Sequence, residues 1–258
     1  VVLGPVALLV GLVIALPAAA ADPAEVRFLS FAPSPYSQRH DAMRAGLGIY
    51  LALQQTIDQH HLPLRTTFYD GAKVYDQAEP AKKLVNGARV LVIGGSAWAQ
   101  GSSYYLRRFF ELVDLEPLAG VSVTAWTTAG GAHTGGEVVI NDIYRTAMGM
   151  GAQVFSLGQK YMVFTTDERI APPEGRFTPL DGWYMDHFAK TIAVVALAGH
   201  DPVAAAALSK KLGTATQYWN LMPKDEAGLA PYAKLVERLN SAANPKSDAW
   251  RDLMKLVR

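Results

Sequence analysis

The chain has 258 residues, with 24 Lys and Arg against 23 Asp and Glu, six His and no Cys. Half of the residues are apolar, which supplies a sizeable core and excludes a globally disordered chain. A net charge of +1 argues against a dedicated nucleic-acid binder, and the lack of Cys excludes disulfides, thiolate metal sites, Cys nucleophiles and Cys-ligated iron–sulfur clusters.

Val1 to Ala21 carries no charge. As one helix this stretch would span ~31 Å, enough for a bilayer core. It also holds Pro17 followed by Ala18-Ala19-Ala20-Ala21, the form of a secretory signal peptide with a small-residue cleavage site. Residues 1–21 therefore read as a signal peptide or, if uncleaved, a membrane anchor. Both readings place the remaining chain in a periplasmic or other extracytoplasmic location.

Val26 to Phe31 is a short apolar run stopped by Ala-Pro-Ser-Pro, and predicts a buried strand. Gln38 to Asp58 has helical spacing at Met43, Leu47, Tyr50, Leu51 and Leu53. A second strand is predicted at Leu64 to Tyr69, and a short helix at Glu79 to Val85. Ala88 to Ile93 reads as a third buried strand that runs into Gly94-Gly95-Ser96, with a helix over Ser102 to Val113. Gly120 to Thr127 predicts a fourth strand, Glu137 to Met150 a helix, and Gln153 to Leu157 a fifth strand. Pro179 to Ala198 is a long helical stretch.

Strand and helix alternate five times, which predicts an α/β protein with a parallel sheet covered by helices on both faces. Ligands of such sheets sit beyond the carboxyl ends of the strands. Three loops there draw attention: Ala32 to Gln38, Gly95 to Gly101, and Thr127 to Gly136, the last rich in Gly and carrying His133. The first opens a helix, where free N–H groups form a natural anion site.

These residues resemble the flavodoxin-like superfamily, and most of all WrbA-type NAD(P)H:quinone oxidoreductases. The resemblance covers roughly Val26 to Ala198. It is strongest in VLVIGGSAWAQGSSYYLRRFFELVD and in LAGVSVTAWTTAGGAHTGGE. It implies a flavodoxin-like three-layer sandwich, a five-stranded parallel sheet in the order 2-1-3-4-5, and FMN held between the three loops. Carried onto this chain, the cofactor contacts fall on Ser34, Tyr36, Ser37 and Gln38, then on Ser96, Ala97, Trp98, Gln100 and Gly101. The third set is Thr127, Thr128, Ala129, Gly130, Gly131 and His133. Trp98 would stack on an aromatic ligand or lie as a lid over the core. His133 is the candidate catalytic residue, because an imidazole titrates near neutrality and can pass a proton to a quinone.

The chain departs from the family pattern at several points. Ser37 stands where the family has Gly, and Asp41 where the family's phosphate-binding Thr falls. A carboxylate aimed at a phosphate would repel it, unless it points away or pairs with Arg39 or Arg44. The second loop reads Ser96-Ala97-Trp98-Ala99-Gln100 in place of the family's Pro-Thr-Arg-Phe-Gly.

His60-His61 closes the first long helix; adjacent helical residues do not face one metal, so no metal site is predicted there. Arg107-Arg108 reads as a solvated helix face. No Gly-x-Ser-x-Gly elbow, Walker loop or dinucleotide fingerprint is present. The flavodoxin-like domain is expected over 22–199 and a helical C-terminal extension over 200–258, with helical spacing at Pro202 to Leu212, Leu229 to Leu239 and Ala249 to Val257. Pro-Lys-Ser-Asp at 245–248 reads as a helix entry.

Two functions stay open. One is an FMN-dependent oxidoreductase or electron carrier that serves a quinone or a redox protein, since an exported chain has little access to NAD(P)H. The other is a binding or structural module that kept the fold and lost FMN. The resemblance also implies a homo-oligomer, which the extension would block or replace.

Overall fold

The computed structural model describes residues 22–31, 41–97, 101–113, 118–129, 135–157, 163–165, 176–214 and 221–258. The strands are β1 (Ala24–Phe31), β2 (Leu64–Asp70), β3 (Val90–Ser96), β4 (Ser122–Ala129), β5 (Gln153–Val154) and β6 (Val163–Thr165). The helices of the sandwich are α1 (Asp41–His60), α2 (Ala78–Val85), α3 (Tyr104–Val113), α4 (Gly136–Gly149) and α5 (Pro179–Ala198). The extension adds α6 (Pro202–Leu212), α7 (Glu226–Leu229), α8 (Ala233–Ser241) and α9 (Asp248–Met254).

All strand pairs are parallel, in the order β2-β1-β3-β4-β5, and β6 also pairs with β4. The predicted order 2-1-3-4-5 is the observed one. The fifth position is split: β5 pairs with Ser122 and Val123 at the start of β4, and β6 with Thr127 to Ala129 at its end. The run predicted as one strand over 153–157 is thus a two-residue pairing. Two further strands outlast their predicted ends. β3 continues through Gly94, Gly95 and Ser96, and β4 through Thr128 and Ala129.

Trp126 explains why β3 needs glycine just past its predicted end. Its indole is fully buried between the sheet and α1, and its Nε1–H donates to the Ala42 carbonyl at 2.9 Å. A methyl on Gly94 or on Gly46 of α1 would collide with that indole. Both glycines are therefore packing positions that let helix and sheet close on a large ring.

Strand parity sorts the two helical layers. Phe28 meets Tyr50 of α1 edge-on at 5.5 Å, whereas Phe31 meets Phe109 of α3 at 4.8 Å. So α1 and α5 cover one face, while α2, α3 and α4 cover the other. α5 starts with a reciprocal capping box in which Thr178 and Asp181 satisfy each other's backbone N–H, with Pro179 at the first helical position.

The extension packs on the α1–α5 layer. α6 lies along α5, and α8 touches both α1 and α5. Gly182 of α5 makes room for α8: a Cβ there would lie 2.8 Å from Val236 Cγ2. α9 starts where predicted, with the Ser247 hydroxyl accepting from Trp250 N at 3.1 Å. The chain end then returns to the sheet, where Arg258 N donates to Phe68 O at 2.9 Å and Asp70 N to Arg258 O at 3.3 Å. This tail covers part of the β2 edge, which would otherwise be open to pairing with another chain. Among the described residues no helix is long and apolar enough to cross a membrane, and residues 1–21 lie outside them.

Candidate functional site

The three loops singled out in the sequence leave the sheet at one edge. Phe31 at the end of β1 is level with Gly95 of β3, and Gly95 and Ser96 are level with Thr127 and Thr128 of β4. The register follows from parallel pairing of three buried strands, so their carboxyl ends open toward one region.

Hydrogen bonds tie these strand ends together. Ala97 N donates to Thr128 O at 2.9 Å. The Thr127 hydroxyl donates to Gly95 O at 2.7 Å. Ser103, just before α3, donates to Phe31 O at 3.3 Å, which fixes the start of α3 to the end of β1. Ser102 donates to Asp142 of α4 at 2.8 Å. α4 itself starts at the third loop, with Gly135 in the left-handed region at φ 93°.

Ser96, Ala97, Gly101, Thr127, Thr128 and Ala129 are therefore brought to one edge. Gly101, Thr127, Thr128 and Ala129 are buried there, while Ser96 and Ala97 are half-buried. Four of the six are strand residues: Ser96, Thr127, Thr128 and Ala129. Ser34, Tyr36, Ser37, Gln38, Trp98, Gln100, Gly130, Gly131 and His133 lie outside the described residues.

Asp41, the residue that would oppose a phosphate, opens α1 and forms an ion pair with Arg44 three residues later. Arg44 is fully buried. It also donates to Leu239 O of α8 at 3.1 Å and lies 5.0 Å above the Phe177 ring. Phe177 is in turn held by Asn240 through two backbone–amide hydrogen bonds, each 2.9 Å. A buried guanidinium needs a compensating carboxylate, and Asp41 supplies it. This turns the charge of Asp41 away from the role of an unpaired anion at the first loop.

Two features bear on an FMN-sized phosphate ligand. The Ser30 hydroxyl, one residue before the strand end, is buried and has no hydrogen-bond partner among the described residues. At Gly95 a Cβ would sit 3.0 Å from Phe31 O, so the two backbones approach closely at the rim. An orphaned hydroxyl, a neutralised carboxylate and two helix N-termini fit an anionic cofactor at this edge. Ser30 was absent from the sequence reading, because a Ser inside an apolar strand carries no signal of its own.

No family model matches the chain, and no curated protein matches it in sequence. Solved structures match in fold. An oxidoreductase from Corynebacterium diphtheriae aligns with TM-score 0.53 and 17% identity, over 69% of this chain and 98% of that one. A flavodoxin, WrbA-like protein from Agrobacterium tumefaciens aligns with TM-score 0.48 and 11% identity, over 69% of this chain and 98% of that one. Oxidised flavodoxin 2 from Bacillus cereus aligns with TM-score 0.47 and 13% identity, over 66% and 97%. The first of these, with the strand order and the two helical layers, gives this chain a flavodoxin-like fold.

Proposed function

We propose that this chain is a flavodoxin-like redox protein that holds FMN at the carboxyl edge of β1, β3 and β4 and exchanges electrons with a quinone or a redox protein. The observation that carries this reading is the level delivery of three strand ends to one edge. The similarity in fold to an oxidoreductase from Corynebacterium diphtheriae agrees with it. When bound, FMN supplies the electron-transfer chemistry. The protein's part is to hold and orient it. The start of α1, with Asp41 held by Arg44, offers backbone N–H groups to a phosphate. The ends of β3 and β4 form the floor, and the loops at 98–100 and 130–134 supply Trp98 for stacking and His133 for proton delivery. Export, through residues 1–21, belongs to the same proposal, and makes a quinone or redox protein a better partner than NAD(P)H.

A second reading is favoured by Thr127. Its hydroxyl is used within the sheet, and Thr128 and Ala129 beside it are buried. An edge closed in this way suits a module that kept the fold without the cofactor. The visible spectrum of the purified protein separates the two. Flavin absorption, or its recovery when FMN is added to colourless protein, supports the redox reading. A colourless protein that FMN neither colours nor stabilises supports the second.

A further inference from the structure

At the opposite edge of the sheet, the extension builds a cleft with the core. It has a volume of about 490 Å³ and lies between the end of α1, the end of α5 and α6. α1 closes there because His61 takes the left-handed conformation at φ 49°, which lets Leu62 N reach Ile57 O at 3.0 Å. This brings His60 and His61 to one rim, and α6 brings Lys211 to the other. Leu62, Leu197 and Leu208 give the cleft an apolar floor.

The charges on this rim do not balance. Lys211 makes no ion pair among the described residues, and Lys190 of α5 is already paired with Asp186 at 2.7 Å. Asp201, the one carboxylate lining the cleft, accepts from Ala204 N at 2.9 Å as the cap of α6. His60 Nδ1 is buried and has no hydrogen-bond partner among the described residues. Among the described residues no cluster of His, Asp and Glu is arranged to hold a metal, and a cation would be repelled by Lys211.

We propose that this cleft is a ligand site for a small organic anion, with an oxyanion head between Lys211 and His60 and an apolar body on the leucine floor. The volume is in the range of small-molecule pockets. An oxyanion would pair with the Lys211 ammonium, and a protonated His60 on the rim adds a second positive charge. Burial, Lys211, Lys190 and His61 together hold the His60 pKa below its ordinary value. A bound anion opposes those cations, so binding favours the protonated imidazole and strengthens as pH falls. The remaining ionisable groups of the rim are His200 and Asp201. The site does not depend on FMN, because it lies at the amino-terminal edge of the strands.

Benzoate is a suitable probe, because its carboxylate stays ionised between about pH 6 and pH 8. Calorimetric titration of the full chain should show saturable binding to one site, tighter near the lower pH, with benzyl alcohol much weaker. Lys211→Gln, at an exposed position, should weaken benzoate roughly tenfold, and His60→Gln should remove the pH dependence. Saturating FMN should leave the affinity unchanged. Binding that does not saturate, that ignores Lys211→Gln, or that FMN displaces would overturn the proposal.

Discussion

Arg44 and Asp41 show how one contact changes the meaning of a residue. Read in sequence, Asp41 is a charge in the way of a phosphate. In the fold its carboxylate belongs to a guanidinium with no solvent exposure, anchored as well to a carbonyl 195 positions away. That partner could not be chosen from the sequence, where Arg39 and Arg44 were equal candidates, because the choice depends on α8 closing over α1. Asp41→Thr should therefore raise FMN affinity by less than about threefold, while lowering unfolding free energy by roughly 2–4 kcal/mol, since it removes a carboxylate partner from a buried cation. Fluorescence titration with FMN and urea melts read the two effects. FMN binding tighter by tenfold or more would mean that Asp41 faces the phosphate after all. Gly94 is a simpler case. Gly94→Ala should cost roughly 1–3 kcal/mol through the Trp126 ring, seen as a lower urea midpoint; an unchanged midpoint would mean the ring has somewhere else to go. The strand was expected to end at Ile93 because glycine usually punctuates structure, yet here Gly94 stays in the strand and makes room for a ring lying over it.

Among the elements, the helices and strands with strong apolar rhythm were legible: β1, β2, α1 and α5 lie close to where the apolar pattern puts them. The carboxyl ends of β3 and β4 were not, since cross-strand pairing, and not local preference, extends them. The split fifth position was equally hidden, because two short pairings against β4 leave no run long enough to show alternation. α5 carries a titrating group in its buried stripe. His187 is buried and stacks on Trp183 with centroids 5.5 Å apart. Burial pushes its pKa down from 6.5, with Lys190 acting in the same direction and Asp186 against it. The folded state thus prefers the neutral ring, while the unfolded chain takes the proton at the ordinary value. Stability is full above about pH 6.5 and falls as pH drops through that value toward the lowered one, with a slope approaching ~1.4 kcal/mol per pH unit. Urea melts at several pH values should show this decline, and His187→Leu should flatten part of it. His60, shifted in the same direction, supplies another part. A wild-type stability that rises on acidification through this range would contradict the burial argument.

Across the whole molecule, the parallel sheet and its strand order put three loops at one edge and a histidine-lined cleft at the other, with the extension bracing the α1–α5 layer between them. The fold class was legible because strand–helix alternation leaves few topologies for a parallel sheet. The candidate site was legible only as a location, because which side chains turn outward depends on packing partners far away in the chain. The central claim is that FMN is held by those three loops. Hydrogen–deuterium exchange on the full chain, with and without FMN, tests it directly. Ligand binding slows exchange where it orders or covers backbone N–H groups. FMN addition should slow exchange in the segments 31–44, 95–103 and 127–137 together, with no change at 60–63 or 200–211. Unchanged exchange in all three segments at saturating FMN, or protection confined to another part of the molecule, would contradict it.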